Sequence, residues 1–342
     1  MASTSPSAAR ESAIQWINKL KSYRAPSLSR SSFELAVTII PFVAIWAAAV
    51  WVSSFSFLLA LPICILGGGF LVRMFLIQHD CSHFSFFKSR RANMWTGRVL
   101  GVFTLTPFDA WQRSHLIHHG EHGNLDARGV GDIYTLTVDE YNAKTWWGRL
   151  MYRLYRSPAV LFGIGPIFIF LFHHRLPIGG MTKGVRYWMS TMLTNVALLA
   201  VMIGGTWMLG WLPFLMTYLV MACVAAIGGV WLFYVQHQFE TTTWENTEDW
   251  QVHDAALYGS SHYVLPPVLR WLTANIGIHH VHHLYSRIPF YHLPKVLKDH
   301  PPLAEIQKIT LWESFATVKL KLWDAKSKRL VSFRDAKALS AA

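Results

Sequence analysis

Histidine is the residue whose spacing in this sequence points most directly to chemistry. The chain carries 17 histidines, and eight of them lie at ligand spacing in three short clusters. On an α-helix, positions i, i+3 and i+4 share one face, so HxxHH presents three imidazoles to one point and HxxxH presents two. Neutral imidazole is the commonest protein ligand for metal ions. The clusters are HDCSH with His79 and His83, HLIHH with His115, His118 and His119, and HHVHH with His279, His282 and His283.

Eight converging imidazoles exceed the needs of one ion. A tetrahedral zinc ion takes about four ligands, whereas eight or nine imidazoles suit two ions with positions left open for a small molecule. His237 directly follows an apolar segment and is the candidate ninth ligand. Because an imidazole-only site suits iron, zinc, copper or nickel, the spacing alone leaves the metal open.

Other residues near the clusters have predicted supporting roles. His280 is expected to point away from the ligand face, and His122 to support a ligand rather than bind metal. Asn275 is predicted either to bind through water or to support a ligand. The acids suited to hold an imidazole N–H are Asp80, Glu121, Asp126, Asp132, Glu240, Asp249 and Asp254. Surface or core roles are expected for His173, His174, His253, His262, His292 and His300.

The elements that hold the clusters are predicted to be membrane helices. Hydrophobic residues make up 52% of the chain and charged residues 15%, against about a quarter charged in soluble domains. Four stretches approach or exceed the roughly 20 apolar residues that cross a bilayer. They are about 35–52, 55–77, 188–209 and 212–235, with Arg73 as the one charge. Short turns within each pair predict two hairpins.

The positions of Lys and Arg predict the orientation of these helices. The formal net charge is +12, yet none of the 31 Lys and Arg residues lies within 35–72 or 187–269. This distribution argues against nucleic acid as a partner and, by the positive-inside rule, places the basic segments in the cytoplasm. The expected fold is an all-α integral membrane protein with a cytoplasmic helical cap carrying the histidines.

The apolar stretches and the basic segments also predict the boundaries of the domain and its parts. We expect one domain, 1–342, with a cytoplasmic lead over 1–34 and a cytoplasmic cap and tail over 78–187 and 236–342. Two shorter apolar stretches, Val99–Phe108 and Ala159–Phe172, are predicted to be interfacial or half-buried helices.

The clusters and their order resemble the membrane-bound fatty-acid desaturases. HDCSH follows a transmembrane helix, HLIHH comes about thirty residues later, and a hairpin precedes FYVQHQFE and HHVHHLYSRIPFY. The resemblance covers about residues 40–300. The resemblance is closest to the acyl-lipid delta-12 (omega-6) group. In that group the third histidine cluster is also followed by an apolar residue, then by a Ser two positions later, and then by the sequence Pro-aromatic-Tyr.

The resemblance implies a non-haem di-iron centre that uses O2 to introduce a cis double bond into an acyl-lipid chain. It implies an external electron donor, such as a ferredoxin or a cytochrome b5-type protein. The expected iron ligands are His79, His83, His115, His118, His119, His237, His279, His282 and His283. A basic surface is expected to bind either an acidic electron donor or anionic lipid headgroups. It is formed by Arg149, Arg153, Arg156, Lys319, Lys321, Lys326, Lys328 and Arg329.

Several alternatives remain open from the sequence. A hydroxylase, an acetylenase or a carotenoid ketolase can use the same histidine scaffold. A metal transporter would require ionisable residues or histidines in mid-span, which the stretches lack, and a histidine-rich structural membrane protein would need no metal. The expected location is the bacterial inner membrane with a cytoplasmic active site, with a plastid or endoplasmic reticulum membrane as the alternatives.

Overall fold

The computed structural model describes residues 6–178 and 184–339, so residues 1–5 of the predicted lead lie outside the described part. The fold is mostly helical. Its α-helices are α1 (Pro6–Leu20), α2 (Leu28–Ser53), α3 (Phe57–Ser82), α4 (Arg90–Phe103), α5 (Phe108–Glu121), α6 (Val138–Ala143), α7 (Trp146–Tyr155), α8 (Gly165–Leu171), α9 (Val185–Leu209), α10 (Trp211–His237), α11 (Val252–Tyr258), α12 (Pro267–Leu272), α13 (His279–Leu284), α14 (Leu293–Asp299), α15 (Pro301–Glu305), α16 (Leu311–Thr317) and α17 (Phe333–Leu339).

Two small sheets accompany the helices among the described residues. Strand β1 (His262–Val264) pairs in parallel with β2 (Lys308–Thr310). Strand β3 (Leu322–Asp324) pairs antiparallel with β4 (Arg329–Val331). Each strand has three residues, so the prediction of a helical protein is confirmed.

Four helices are long and apolar enough to cross a membrane, as predicted: α2, α3, α9 and α10. Serine side chains cap two of them, since Ser27 Oγ accepts from the amide of Arg30 and Ser56 Oγ from that of Leu59. Both α3 and α10 continue past the predicted apolar stretch, to Ser82 and His237. These extensions carry histidines, so the membrane helices themselves reach the site.

Helix α3 is the centre of the bundle because it packs against both α2 and α10. A Cβ atom at Gly67 would lie 2.7 Å from the side chain of Met221, and one at Gly68 would lie 2.5 Å from Val224. Glycine therefore permits the close approach of α3 and α10. Helix α9 is the most exposed of the four, with 6% of its apolar window buried. The two-hairpin arrangement in a membrane and the cytoplasmic cap stay predictions.

The two shorter apolar stretches, Val99–Phe108 and Ala159–Phe172, are not single continuous α-helices. Val99–Phe108 was predicted as one helix, and this is wrong: α4 ends at Phe103 and α5 begins at Phe108. Pro107 disfavours helix before it, and Leu105 has a left-handed φ of 56°. The second stretch contains a π-helical turn, Val160–Ile164, followed by α8. With α7 it forms a pair bent by 49°, and its interfacial position stays a prediction.

A buried ion pair joins α2 to α3 inside the bundle. The guanidinium of Arg73 contacts the carboxylate of Glu34, and both side chains are nearly inaccessible to solvent. Arg73 also donates to Thr38 Oγ1 at 3.0 Å and lies 4.0 Å from the ring centroid of Trp271. The sequence predicted Arg73 as the only charge in the spans, but α2 begins early enough to include Glu34 as its partner.

Replacing Glu34 alone is expected to destabilise the fold. Glu34→Leu would leave the Arg73 charge buried without a carboxylate, which costs about 3–5 kcal/mol. The double variant Glu34→Leu with Arg73→Met should recover most of this loss, because it removes both charges. Denaturant unfolding in mixed micelles measures the three proteins; a double variant as unstable as the sum of the single ones would contradict the account.

Candidate metal centre

The structure brings all nine predicted ligands together in two groups. The ring nitrogens in each group that face a common point all lie within 4.8 Å of one another. The first group contains His79, His83, His115, His119 and His282, and the second contains His118, His237, His279 and His283. Two of the three sequence clusters contribute to both groups, because adjacent residues of a helix point in directions about 100° apart. His118 and His119, and likewise His282 and His283, therefore face different groups.

Four elements hold the rings. The C-terminal end of α3 supplies the first cluster, α5 the second, the end of α10 supplies His237, and α13 the third cluster. Helix α13 has six residues, so its position depends on neighbouring backbone. The amide of Tyr263 donates to the carbonyl of Gly277 at 2.7 Å, and that of His279 donates to Ser261 at 3.2 Å. These bonds attach the third cluster to β1.

The spacing of the ring nitrogens fits ligands that share a metal ion. In the first group, Nε2 of His83 lies 2.9 Å from Nε2 of His115. In the second group, Nε2 of His237 lies 3.0 Å from that of His279 and 3.2 Å from that of His118. Two nitrogens at right angles, each about 2.1 Å from an ion, are about 3.0 Å apart. The donor set therefore fits a metal ion in each group.

Burial keeps six of these imidazoles in the neutral form that binds metal. A protonated ring loses its hydration in the interior, and neighbouring rings would repel it, so both effects lower its pKa. A neutral ring keeps one nitrogen lone pair for a cation. The pKa is lowered in this way for His83, His115, His119, His279, His282 and His283.

Asp132 holds His118 in a metal-binding orientation. Its carboxylate oxygen accepts from Nδ1 of His118 at 2.5 Å, while Nε2 faces His237. Burial alone would raise the pKa of Asp132, but the His118 and His122 rings more than offset it and lower the pKa well below its usual range. An ionised carboxylate behind an imidazole fixes its tautomer and increases its basicity. The prediction that Asp132 supports a ligand agrees with this contact.

His122 also lies behind a candidate ligand. Its Nε2 is 3.1 Å from Nδ1 of His237 and 2.8 Å from the carbonyl oxygen of Gly259. Of the other predicted acids, Asp80 sits beside His79, with Nδ1 and Oδ1 3.8 Å apart. Asp126 and Glu240 instead bond to Thr247 and Arg329.

Two residues near the third cluster lie outside both groups. Nε2 of His280 is 2.8 Å from the carbonyl oxygen of Leu303, which agrees with its predicted orientation away from the ligand face. Asn275 donates to the carbonyl of Phe290 at 3.3 Å. It also has a left-handed φ of 55°, so it shapes the turn before α13 instead of joining the histidines.

A mainly apolar cavity of about 740 Å³ opens onto the histidines. His79, His115 and His279 are part of its wall. Its volume lies in the range of small-molecule sites, about 300–1,000 Å³. The sequence analysis did not identify the wall of this cavity on α10, where small residues recur at helical spacing. This wall includes Ala222, Ala225, Ala226 and Gly229, together with Phe233.

The predicted basic surface is smaller than expected. Arg156 is buried and donates to Gln238 Oε1 at 2.7 Å, and Lys321 is buried and donates to the carbonyl of Arg156 at 2.6 Å. Burial and the nearby arginine lower the pKa of Lys321 to about 8. These two cations are therefore part of the interior and wrong as docking residues, because the C-terminal tail folds over α7.

Long apolar helices, grouped histidines and an adjoining apolar cavity define a membrane protein with a histidine-rich centre for an apolar substrate. The model of the fatty acid desaturase family matches residues 55–315. The chain belongs to this family and is an oxidoreductase.

Similar proteins agree with this assignment. A fatty acid desaturase of Bacillus subtilis (strain 168) is 42% identical over 320 residues, which cover 94% of this chain and 90% of the relative. An sn-1 acyl-lipid omega-3 desaturase (ferredoxin) of Synechocystis is 27% identical over 71% of this chain and 68% of its own length. An sn-1 oleoyl-lipid 12-desaturase of Synechocystis is 28% identical over 66% of this chain and 64% of its own length.

Removing one imidazole from either group is expected to release metal. His118→Ala and His282→Ala each delete a ring from a different group, so the affinity for metal should fall by more than about tenfold. The matched control is His253→Ala, since His253 belongs to neither group. Elemental analysis of the purified proteins measures bound metal per chain; equal metal in all four proteins would rule out the centre.

Proposed function

We propose that the protein is a membrane acyl-lipid desaturase that introduces a cis double bond by O2-dependent chemistry at two iron ions. The observation that carries the proposal is the meeting of two buried histidine groups with an apolar cavity. An unactivated methylene has no acidic proton and no polar handle, so acid–base or nucleophilic catalysis has nothing to act on. Oxidation at a metal centre is the chemistry that such a substrate requires.

The balanced reaction sets what must reach the site. One O2, two electrons, two protons and two adjacent methylenes give one double bond and two waters. The ions, when bound, supply the O2-dependent oxidation. The nine histidines of the two groups would hold them, and Asp132 keeps the His118 proton on Nδ1.

The side chains of the cavity wall would position the acyl chain of the substrate. Phe75 and Phe233 line it close to the histidines, so an acyl chain would lie against apolar side chains and displace water. Excluding water protects an oxidising centre from side reactions. An acyl chain in this cavity would meet few polar partners.

A delta-12 (omega-6) position is the proposed site of desaturation. The third cluster is followed by Leu284, Ser286 and Pro289-Phe290-Tyr291, the pattern that this group shares. One relative is named an oleoyl-lipid 12-desaturase, while other relatives are named omega-3 desaturases. The position of the new double bond is therefore the decisive product measurement.

The proposed electron donor is a ferredoxin-type protein. Two cyanobacterial relatives carry ferredoxin in their names. Exposed cations on the cap, including Arg153, Lys319 and Lys326, would attract an acidic carrier. The proposed location is the bacterial inner membrane with the centre on the cytoplasmic side, supported by the distribution of Lys and Arg. A cytochrome b5-type donor is the alternative outcome.

Expression in a host that lacks the activity tests the proposed reaction. We expect new diunsaturated acyl chains, two mass units lighter than their precursors, with the added double bond at the delta-12 position. Gas chromatography with mass spectrometry of derivatised lipids measures both. Chains that gain an oxygen atom instead would replace the proposal with a hydroxylase, and an unchanged profile in cells with active donor would refute it.

Filling the cavity from α10 is expected to reduce turnover. A Cβ atom at Gly229 meets no atom within 4 Å, and Gly229 lines the cavity, so Gly229→Leu should fold and occupy substrate space. Misplacing a reacting chain costs on the order of a hundredfold in rate. Gly204→Leu is the matched control, because a Cβ there also meets no atom within 4 Å and lies on α9 away from the cavity. Equal product from both variants would contradict the cavity assignment.

A further inference from the structure

Two short helices that follow α10 in the chain expose large apolar side chains. Helix α12 has six residues and α16 has seven, so both are far shorter than the roughly 20 residues that cross a bilayer. Val268 on α12 is 69% exposed, and Trp312 and Phe315 on α16 are 79% and 54% exposed. Where such side chains lie next to one another, they indicate an interaction surface.

The small parallel sheet places these two helices next to one another. Helix α12 begins three residues after β1 ends at Val264, and α16 begins directly after β2 ends at Thr310. The two strands are parallel, with Val264 opposite Thr310. Paired parallel strands end at the same edge of their sheet, so α12 and α16 both begin at that edge. We call α12 and α16 together the helix pair.

Helix α12 lies beside the apolar part of α3. A Cβ atom at Gly69 would lie 3.4 Å from Cδ1 of Leu272, and the ring centroids of Trp271 and Phe70 are 5.8 Å apart. At 1.5 Å per residue, Gly69 and Phe70 lie about 10–12 Å before the end of the apolar stretch at Ile77. Helix α12 therefore lies at the depth of this stretch and not beyond its end.

Helix α16 lies beside the last apolar turns of α10. The ring centroids of Phe315 and Trp231 are 5.4 Å apart, and Trp231 precedes the end of the apolar stretch at Val235 by about one helical turn. Polar contacts hold this arrangement. Nε1 of Trp231 donates to the hydroxyl of Tyr263 at 3.3 Å, and this hydroxyl lies 3.0 Å from Oγ of Ser314. Because Tyr263 belongs to β1, the sheet and α16 are both attached to α10.

The two helices of the pair lie at similar depths. Helices α3 and α10 both end at histidines of the metal centre, so they run in the same direction. A Cβ atom at Gly228 of α10 would lie 3.6 Å from the side chain of Val72 on α3. Trp231 is therefore close to the level of Phe75, about one to two helical turns from Gly69. Both members of the pair thus contact the membrane helices near the same end of the apolar stretches.

This depth determines which partner can cover the exposed face. A soluble protein would have to enter the bilayer to reach side chains beside an apolar stretch, whereas acyl chains are already present there. Trp and Phe favour the boundary between headgroups and acyl chains. An exposed arginine on α12, Arg270, can extend its guanidinium to the headgroups.

We propose that α12 and α16 insert together into the surface of the bilayer, on the side where the histidine groups lie. Val268, Trp312 and Phe315 contact acyl chains, and Arg270 lies at the level of the headgroups. The chain is thereby held in the membrane by a part of its C-terminal region in addition to the four long helices.

The insertion also connects the third histidine cluster to the membrane surface. The amide of Tyr263 in β1 donates to the carbonyl of Gly277 at 2.7 Å, and Gly277 precedes His279 by two residues. Since β1 leads into α12 and also holds the segment before α13, the depth of the helix pair sets the position of α13 relative to the bilayer.

Spin labels on the full chain in liposomes of phosphatidylcholine and phosphatidylglycerol test the insertion. The cysteine variants Val268→Cys and Trp312→Cys carry a nitroxide in a Cys223→Ala background, because Cys64 and Cys81 are buried. Paramagnetic resonance power saturation with O2 and with a water-soluble nickel chelate measures the depth of each label. We expect both labels to lie about 5–10 Å inside the boundary between headgroups and acyl chains.

Two further labels provide the reference depths. Leu199 lies near the middle of α9 and is 59% exposed, so a label at Leu199→Cys should be accessible to O2 and shielded from the nickel chelate. Ala325 lies in the exposed turn between β3 and β4, so a label at Ala325→Cys should be fully accessible to the chelate.

Two outcomes would overturn the proposal. In the first, the labels at Val268→Cys and Trp312→Cys are as accessible to the nickel chelate as the label at Ala325→Cys. In the second, dipolar broadening of their spectra disappears when labelled chain is diluted with unlabelled chain, which would show a second copy on this face instead of lipid. Phe315→Cys replaces Trp312→Cys if the latter does not fold, with folding judged by thermal melting.

The measurement is independent of turnover. A chain whose two labels lie within the lipid but which forms no double bond in cells refutes the desaturase proposal and leaves the insertion standing. Labels that face water in a chain that does form the double bond refute the insertion alone.

Discussion

A protonated imidazole loses several kcal/mol of hydration when it is buried, and nine histidine rings lie in two adjoining groups in this interior. Rings so close together also repel one another when charged, so burial and repulsion lower the pKa of His83, His115, His119, His279, His282 and His283. Neutral rings carry the lone pairs that a metal ion needs. The requirement that many imidazoles be buried, neutral and close therefore underlies both the chemistry of the centre and the arrangement of the helices around it.

No single element meets that requirement. The first group takes rings from the end of α3, from α5 and from α13, and the second takes rings from α5, α10 and α13. Helices α3 and α10 approach closely because Gly67 and Gly68 leave room for Met221 and Val224. Their extension beyond the apolar stretches then carries the histidines to the same depth. The membrane bundle and the metal centre are thus one structure.

The buried charged side chains of the protein have different kinds of partner. Asp132 is ionised against His118, and Arg73 is paired with Glu34. Arg156 is buried among neutral oxygens of Thr135, Gln238 and the backbone. Arg175 also contacts neutral oxygens, those of the Asn195 side chain and the Leu105 backbone. These buried cations therefore join segments that are far apart in the chain.

Local patterns in the sequence were sufficient for much of the structure. Apolar runs predicted all four long helices, since a bilayer requires about 20 apolar residues whatever the fold. Helical spacing of histidines predicted eight residues that the structure gathers together. His237 was predicted from its place after an apolar stretch, and the site does contain it.

Only the tertiary structure decided which rings share a group, because that depends on how four separate elements meet. It also decided that Val99–Phe108 is broken at Leu105, that Arg156 and Lys321 lie inside the cap, and that Glu34 is the partner of Arg73. The positions of Arg156 and Lys321 and the pairing of Glu34 with Arg73 depend on contacts between residues far apart in the chain, which local periodicity does not encode. The sequence by itself determined the ligand types and the membrane helices, and the packing of those helices determined where charge is buried and where the cavity opens.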